Sequence, residues 1–233
     1  MNILLVVATT KEITPLLSIF TRSPGSSPNI LHCHYKGLKI DVLLTGVGIA
    51  ACSFNMGKIL SVPGAYKAAL NVGIAGSFDK KIRIGEVMQV VSDRFSELGA
   101  EDGEKFLSIH EIGLIGENDF PFTSGKLVPD KLAGNKTLGS LPEASAITVS
   151  TAHGNEESIR KTLKRFDADI ESMEGAAFFY ACMNEGVACA QIRSISNHIE
   201  KRNRDAWNIP LAVESLNRKV KDILDEFARL SEL

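Results

Sequence analysis

The feature that most constrains this chain is the run Asn-Ile-Leu-Leu-Val-Val-Ala at residues 2–8, apolar throughout after its first residue. A strand with one wet face alternates polar and apolar residues. A continuous apolar run needs cover on both faces, as in a parallel sheet enclosed by helices. Similar strand patterns are read at 38–45, 67–72, 86–92, 146–150 and 187–195, and a further strand at 30–35 joins 38–45 through the Lys36-Gly37 turn. Helical patterns lie between and after them at 12–20, 49–60, 156–166, 175–185 and 205–233. This alternation predicts one domain over residues 1–233, an α/β/α sandwich of three layers around a central mixed, largely parallel sheet. The stretch 95–141 is rich in Gly, Pro and polar residues and weakly periodic, and it is expected to supply loops over a site.

Charge and cysteine usage exclude several function classes. A formal charge of −2 over 233 residues gives no basic footprint for nucleic acid or anionic membranes. No apolar run approaches the roughly 18–20 residues of a membrane span. The first apolar run has no basic region before it and no small-residue cleavage site after it, so it is expected to be a core strand and not a signal peptide. Cys33, Cys52, Cys182 and Cys189 form no CxxC pair and sit in apolar contexts, which points to reduced thiols in a cytoplasmic protein. His32-Cys33-His34 is not expected to hold a metal, because neighbouring strand residues face opposite sides.

Gly46-Val-Gly48-Ile-Ala-Ala follows a strand and opens a helix, like a dinucleotide fingerprint. That fingerprint also needs an acid about 20 residues on to hold a ribose hydroxyl. Between Gly46 and Phe78 there is no Asp or Glu, and the first is Asp79. A nicotinamide or flavin cofactor is therefore disfavoured. Gly73-Ile-Ala-Gly76-Ser77 is expected to repeat the glycine turn after the next strand, so that Gly76 and Ser77 line a crevice at the carboxyl ends of neighbouring strands.

Three polar residues stand out. Glu12 closes the capping box Thr9-Thr-Lys-Glu12, and a cap at a strand's carboxyl end also lies where a ligand would bind. Glu174 immediately precedes an Ala-rich helix, where a carboxylate suits the helix dipole; as an acceptor-only group it also suits the two adjacent hydroxyls of a ribose. Asn197 follows a buried strand in Arg193-Ser-Ile-Ser196-Asn197-His198, where Asn is commonly a turn residue.

Together these segments resemble the nucleoside phosphorylase/hydrolase superfamily, in particular its methylthioadenosine/adenosylhomocysteine nucleosidase branch. The resemblance covers nearly the whole chain, and Ser-Met-Glu-Gly-Ala-Ala and Arg-Ser-Ile-Ser-Asn, about 20 residues apart, are its most specific parts. It implies that Glu12 activates the attacking water, that Glu174 holds the ribose hydroxyls and that Met173 packs against the nucleoside. It also implies a homodimer or higher homo-oligomer.

One departure from that branch is informative: its members carry Asp where this chain has Asn197. A carboxyl group can protonate adenine N7 while accepting from the amino group. An Asn offers an NH₂ to the oxygen of a 6-oxopurine and a carbonyl to a protonated N7. The implied reaction is hydrolysis of a 6-oxopurine nucleoside, with no metal or redox cofactor required. The run 196–207 resembles the futalosine hydrolases, whose substrate carries a benzoate and releases hypoxanthine in a menaquinone route. Arg202, in the basic cluster 201–204, is a candidate partner for that carboxylate, and a solvated cluster is the alternative. Phe120 and Phe122 are candidates for an apolar wall. The group that protonates N7 is not assigned. Other readings are an adenine-specific nucleosidase (for methylthioadenosine or aminofutalosine), a purine nucleoside phosphorylase, a nucleoside binder without catalysis and, most distantly, a dinucleotide oxidoreductase.

Overall fold

Asn2–Val7 forms β1, and alternate residues of this strand serve two different cores. Ile3, Leu5 and Val7 enter one apolar cluster, while Leu4 and Val6 enter another. Five fully buried aliphatic side chains on one strand contribute about 1.5–3 kcal/mol each. This is the burial on both faces that the uninterrupted apolar run requires.

The computed structural model describes residues 1–231. After β1 come a 3-10 turn at Thr10–Glu12, helix α1 (Thr14–Ile19), the short strand β2 (Thr21–Arg22), β3 (Ile30–Tyr35), β4 (Leu38–Leu44) and α2 (Ile49–Ile59). Lys36 and Gly37 between β3 and β4 both have positive φ, 46° and 79°, as a two-residue hairpin requires. Strands β5 (Ala68–Ser77) and β6 (Val87–Ser92) follow, then the hairpins β7 (Gly99–Asp102) with β8 (Lys105–Ser108) and β9 (Phe122–Thr123) with β10 (Lys126–Leu127). The chain continues through α3 (Lys136–Gly139), β11 (Glu143–Thr148), α4 (Glu156–Arg165), β12 (Ile170–Ser172), α5 (Gly175–Asn184), β13 (Cys189–His198) and α6 (Ile209–Leu230).

The principal sheet has nine strands in the order β12-β11-β6-β13-β5-β1-β4-β3-β2. It is mixed: β4–β1–β5–β13 and β6–β11–β12 run parallel, while β13–β6 and the β2–β3–β4 edge are antiparallel. α1 and α6 cover one face; α2 and α5 cover the other. β12 also pairs antiparallel with β5 through Ile170↔Ser77 and Glu171↔Gly76, so five strands close into a ring at one end of the sheet. That closure is additional to the expected sandwich and depends on β12, three residues too short to show a period.

α6 presents Leu216, Val220, Ile223, Leu224, Phe227 and Ala228 to the first core, and Asn208 caps it by accepting from the Leu211 amide at 3.1 Å. The expected helix over 205–233 is therefore a 3-10 turn at Arg204–Ala206 followed by α6; residues 232 and 233 lie outside the described residues. No described helix is long and apolar enough to cross a membrane.

Candidate active site

β4, β1 and β5 are adjacent and parallel, so their carboxyl ends deliver three segments to one place. After β1, the Glu12 carboxylate bonds back as a cap: Oε2 accepts from the Thr9 amide at 3.0 Å and its hydroxyl at 3.2 Å. Oε1 accepts from the Ile74 amide at 3.2 Å. Capping and placement at the strand ends thus coexist, and donors hold both oxygens. Burial pushes the Glu12 carboxyl above its usual 4.5; the Arg193 cation and the Ile74 and Thr9 amides oppose the shift, and the Glu174 charge reinforces it.

Gly73–Ser77 departs from the expected glycine turn: it continues β5 as strand. The glycines serve close approach. A Cβ on Gly73 would lie 2.6 Å from Arg193 Nη1 and 2.9 Å from Glu12 Oε1. A Cβ on Gly76 would lie 2.8 Å from Ile199 Cγ1 and 3.3 Å from Asn197 Nδ2. Strand backbone without side chains lets Glu12, Arg193 and Asn197 gather over it. Ser77 is fully buried, and its hydroxyl donates to the backbone carbonyls of Asp79 (2.9 Å) and Asp169 (3.2 Å), so it fastens the ring closure.

The Gly46–Gly48 segment does make the expected turn. Gly48, at φ 95°, starts α2 and donates its amide to Glu174 Oε1 at 2.8 Å. A carboxylate at a helix N-terminus is electrostatically favoured. Glu174 is itself the residue before α5 and is buried; its Oε2 has no protein donor among the described residues. That oxygen is a free acceptor for a ligand hydroxyl.

The sequence pattern puts Asn197 in a loop after a strand ending at 195, yet β13 runs to His198. Its register against β5 slips between Ile195↔Ala75 and Asn197↔Gly76, so Ser196 is the extra residue of a bulge. The bulge turns Asn197 toward Gly76, with Oδ1 accepting from the Ser196 hydroxyl at 2.8 Å and Nδ2 donating to the His198 carbonyl at 3.1 Å.

The remaining predicted residues divide. Met173 is half-buried between β12 and Glu174 and packs with the cluster of Ile147, Val149 and Phe166. Phe120 is 71% exposed; Phe122 is buried against His110 and Tyr180. The cavities these two phenylalanines line contain none of Glu12, Met173, Glu174 or Asn197. The expected loops at 95–141 remain mostly turns and loops, interrupted by two short hairpins and α3. Arg202 is exposed, stacks on Trp207 at 5.3 Å and ties its amide to the Gly154 carbonyl at 3.1 Å. His153 bonds Glu171 at 2.6 Å and Thr162 at 2.8 Å through its two ring nitrogens, which pins the 149–155 loop. In the His32-Cys33-His34 run, Cys33 faces the core while His32 bonds Asp41 at 2.6 Å.

Sequence reasoning identifies Arg193 only as a buried strand position. It is 2% exposed, and its guanidinium lies in the floor of the site, donating through Nε to Gln191 Oε1 at 3.1 Å and through Nη2 to Asn71 Oδ1. A signal for it exists in the sequence. Asn71/Gly73 and Gln191/Arg193 are i, i+2 pairs, one face each, inside apolar strands, and polar residues that repeat there must satisfy one another.

Comparison with known proteins gives the family and the fold. The family described as the phosphorylase superfamily matches residues 2–229. A futalosine hydrolase of Thermus thermophilus is 30% identical over 196 residues, 82% of this chain and 84% of that protein. An aminodeoxyfutalosine nucleosidase of Helicobacter pylori (strain J99) is 26% identical over 199 residues, 82% of this chain and 84% of that one. Among solved structures, a 5′-methylthioadenosine/S-adenosylhomocysteine nucleosidase from Colwellia psychrerythraea in complex with adenine superposes with a TM-score of 0.80 at 18% identity, covering 97% of this chain and 95% of that one. The native futalosine hydrolase of Helicobacter pylori strain 26695 gives 0.78 at 18% identity, covering 97% and 98%. At that identity the likeness is one of fold.

Proposed function

The chain belongs to the phosphorylase superfamily, and from that premise we propose that it hydrolyses the N-glycosidic bond of a 6-oxopurine nucleoside, futalosine, releasing hypoxanthine in menaquinone biosynthesis. The observation that carries the choice of base is Asn197, an amide set directly after the β13 bulge and beside the glycine backbone of β5. Its NH₂ serves the O6 of hypoxanthine, and its carbonyl serves a protonated N7. A site built around such a pair discriminates by orders of magnitude, because the wrong base leaves buried polar groups unpaired.

Breaking a ribosyl C–N bond builds positive charge on the sugar and negative charge on the base. Glu12, held by three donors and facing Arg193, takes a proton from water as that water attacks the anomeric carbon. Glu174, anchored through Oε1 by Gly48, offers Oε2 to the ribose hydroxyls. Met173 lies against the nucleoside. Arg202, whose backbone is tied to Gly154, pairs with the benzoate carboxylate.

The protein acts as one domain in the cytoplasm and as a homodimer or higher homo-oligomer. Val47 and Phe54 support the assembly: Val47, beside the Gly48 that anchors Glu174, is 57% exposed, and Phe54, midway along α2, is 70% exposed.

The test is base release from futalosine, inosine and methylthioadenosine, each with and without phosphate. Rapid, phosphate-independent hypoxanthine release from futalosine alone is expected. Adenine release from methylthioadenosine would overturn the reading of Asn197, and a strict phosphate requirement would make the enzyme a phosphorylase.

A further inference from the structure

Behind Arg193 lies a buried polar array to which the mechanism above gives no role. Asp93, directly after β6, is 1% exposed. Its Oδ1 accepts from the Thr148 hydroxyl at 2.9 Å and the Arg94 amide at 2.8 Å, and its Oδ2 accepts from the Gln191 side-chain amide at 3.0 Å. Gln191 accepts in turn from Arg193 Nε at 3.1 Å. On the other side, Thr148 Oγ1 accepts from the Ala176 amide at 2.7 Å, in the first turn of α5 and two residues from Glu174.

The direction of every bond follows from the carboxylate. Burial pushes the Asp93 carboxyl up to about 6, so at pH 7 it is ionised and accepts only, and Gln191 must turn its NH₂ toward Asp93 and its carbonyl toward Arg193. Thr148 must likewise spend its single proton on Asp93, which leaves its lone pairs to the Ala176 amide. An amide side chain at position 93 would set its NH₂ either against the Gln191 NH₂ or, flipped, against the Arg94 amide, and turning Gln191 over would set NH₂ against Arg193 Nε. The array also presses on the backbone beneath Glu174: a Cβ on Gly175 would collide with Asp93 Oδ2 and Gln191 Oε1.

We propose that Asp93 is a positioning residue of the active site, fixing Arg193 against Glu12 through Gln191 and fixing the start of α5, with Glu174, through Thr148. This rests on the reading of Glu12 as general base and Glu174 as ribose anchor. Burying a carboxylate with no ion pair to it among the described residues is unfavourable unless its hydrogen bonds do specific work, and here they orient both ends of the site.

The experiment compares wild type with Asp93→Asn, Gln191→Glu and the double variant. Asp93→Asn should lower kcat/KM for hypoxanthine release on the order of 10²-fold, as expected for misplaced catalytic groups. It should also raise the acid limb of the pH profile on the order of one unit, since the Glu12 carboxyl faces the Arg193 cation and the Glu174 carboxylate, and a misplaced Arg193 opposes its protonation less. Gln191→Glu should also lose activity, through two carboxylates side by side. The double variant restores bond direction, because the carboxylate now at position 191 accepts both from the amide now at position 93 and from Arg193. It should recover activity to within about tenfold of wild type on the same scale of positioning effects.

Wild-type kinetics and an unmoved acid limb in Asp93→Asn would overturn the proposal, as would a double variant no better than the worse single one. If Asp93→Asn does not fold, Gln191→Met carries the same test, and wild-type kinetics there overturn it. If wild type releases no base from any nucleoside, the proposed function fails, and this inference is then decided by infrared titration of the Glu12 carboxyl, with Glu12→Gln as the blank. An upward shift in Asp93→Asn or Gln191→Met supports it; an unmoved titration overturns it.

Discussion

Glu12 Oε1 and Arg193 Nη1 meet over the same backbone atom, the Cα of Gly73, each within 3 Å of where a side chain there would begin. The proposed general base and the cation that favours its ionised form are thus held together by the absence of a side chain. Gly73→Ala should lower kcat on the order of 10²-fold or more while the protein still folds, because the methyl group displaces Arg193 and Glu12 by roughly half an ångström to 1 Å. Hypoxanthine release together with a melting curve checks this, and a folded Gly73→Ala with wild-type kcat refutes it.

Glu12 also bears on stability. Its folded-state pKa is raised by burial, so the stability this carboxyl contributes is fully present below its ordinary 4.5 and is lost as pH rises through the higher folded value. Glu12→Gln should therefore be inactive yet more stable than wild type at pH 7, with the difference shrinking toward pH 4. Thermal melts across pH test the sign. The same shift places the acid limb of kcat/KM above 4.5, and a limb at or below that value would remove Glu12 as the base.

Base selectivity should follow the side chain at 197. Asn197→Asp should cut hypoxanthine release on the order of 10²-fold or more and admit 6-aminopurine nucleosides, because a carboxylate repels O6 and accepts from an amino group. Competition between futalosine and methylthioadenosine measures the switch. An unchanged ratio would mean that something other than Asn197 reads the base.

Phe54 is large, apolar and exposed on α2, four residues after Ala50 and on the helix that Glu174 anchors at Gly48. Phe54→Glu should convert an oligomer to monomer in sedimentation and weaken turnover with it. A wild-type protein that sediments as a monomer contradicts the expected assembly outright.

Asp225 ties α6 to the β3–β4 hairpin. Burial works against its ionised form, but bonds from Lys221, Lys36 and Tyr35 outweigh it and carry the pKa down to about 2. A depressed pKa gives stability that is present above the ordinary 3.8 and lost as pH falls toward 2. The carboxylate is partly exposed and its two lysine partners reach solvent, so screening leaves about 1 kcal/mol for the network. Asp225→Asn should lower Tm by a few degrees at pH 7 and by almost nothing near pH 2.

Much of the site is legible in the chain because its markers are local. Glu12 sits in a capping box, Glu174 before a small-residue helix and Asn197 at the end of an apolar run, and each signal spans only a few residues. The strand-and-helix alternation is legible for the same reason, down to the two-faced burial of β1. Gly73–Ser77 misleads because a glycine pair looks like a turn whether it bends the chain or makes room on a straight strand. Phe120 and Phe122 rest on composition alone, and nothing local says which wall an aromatic residue joins.

The sequence by itself determined the longer buried strands and helices, and which side chains offer acid and amide chemistry. Both follow from periodicity and residue type, properties of neighbours along the chain. Only the tertiary structure decided that Arg193 faces Glu12, that Gly48 holds Glu174, that β12 closes a ring on β5, and that Asp93 reaches both Gln191 and Thr148. The hydrogen-bonded partners among these lie from 55 to 126 residues apart. They are chosen by strand order and register, and a buried polar group takes whatever partner the fold brings within about 3 Å, since leaving it unpaired is costly.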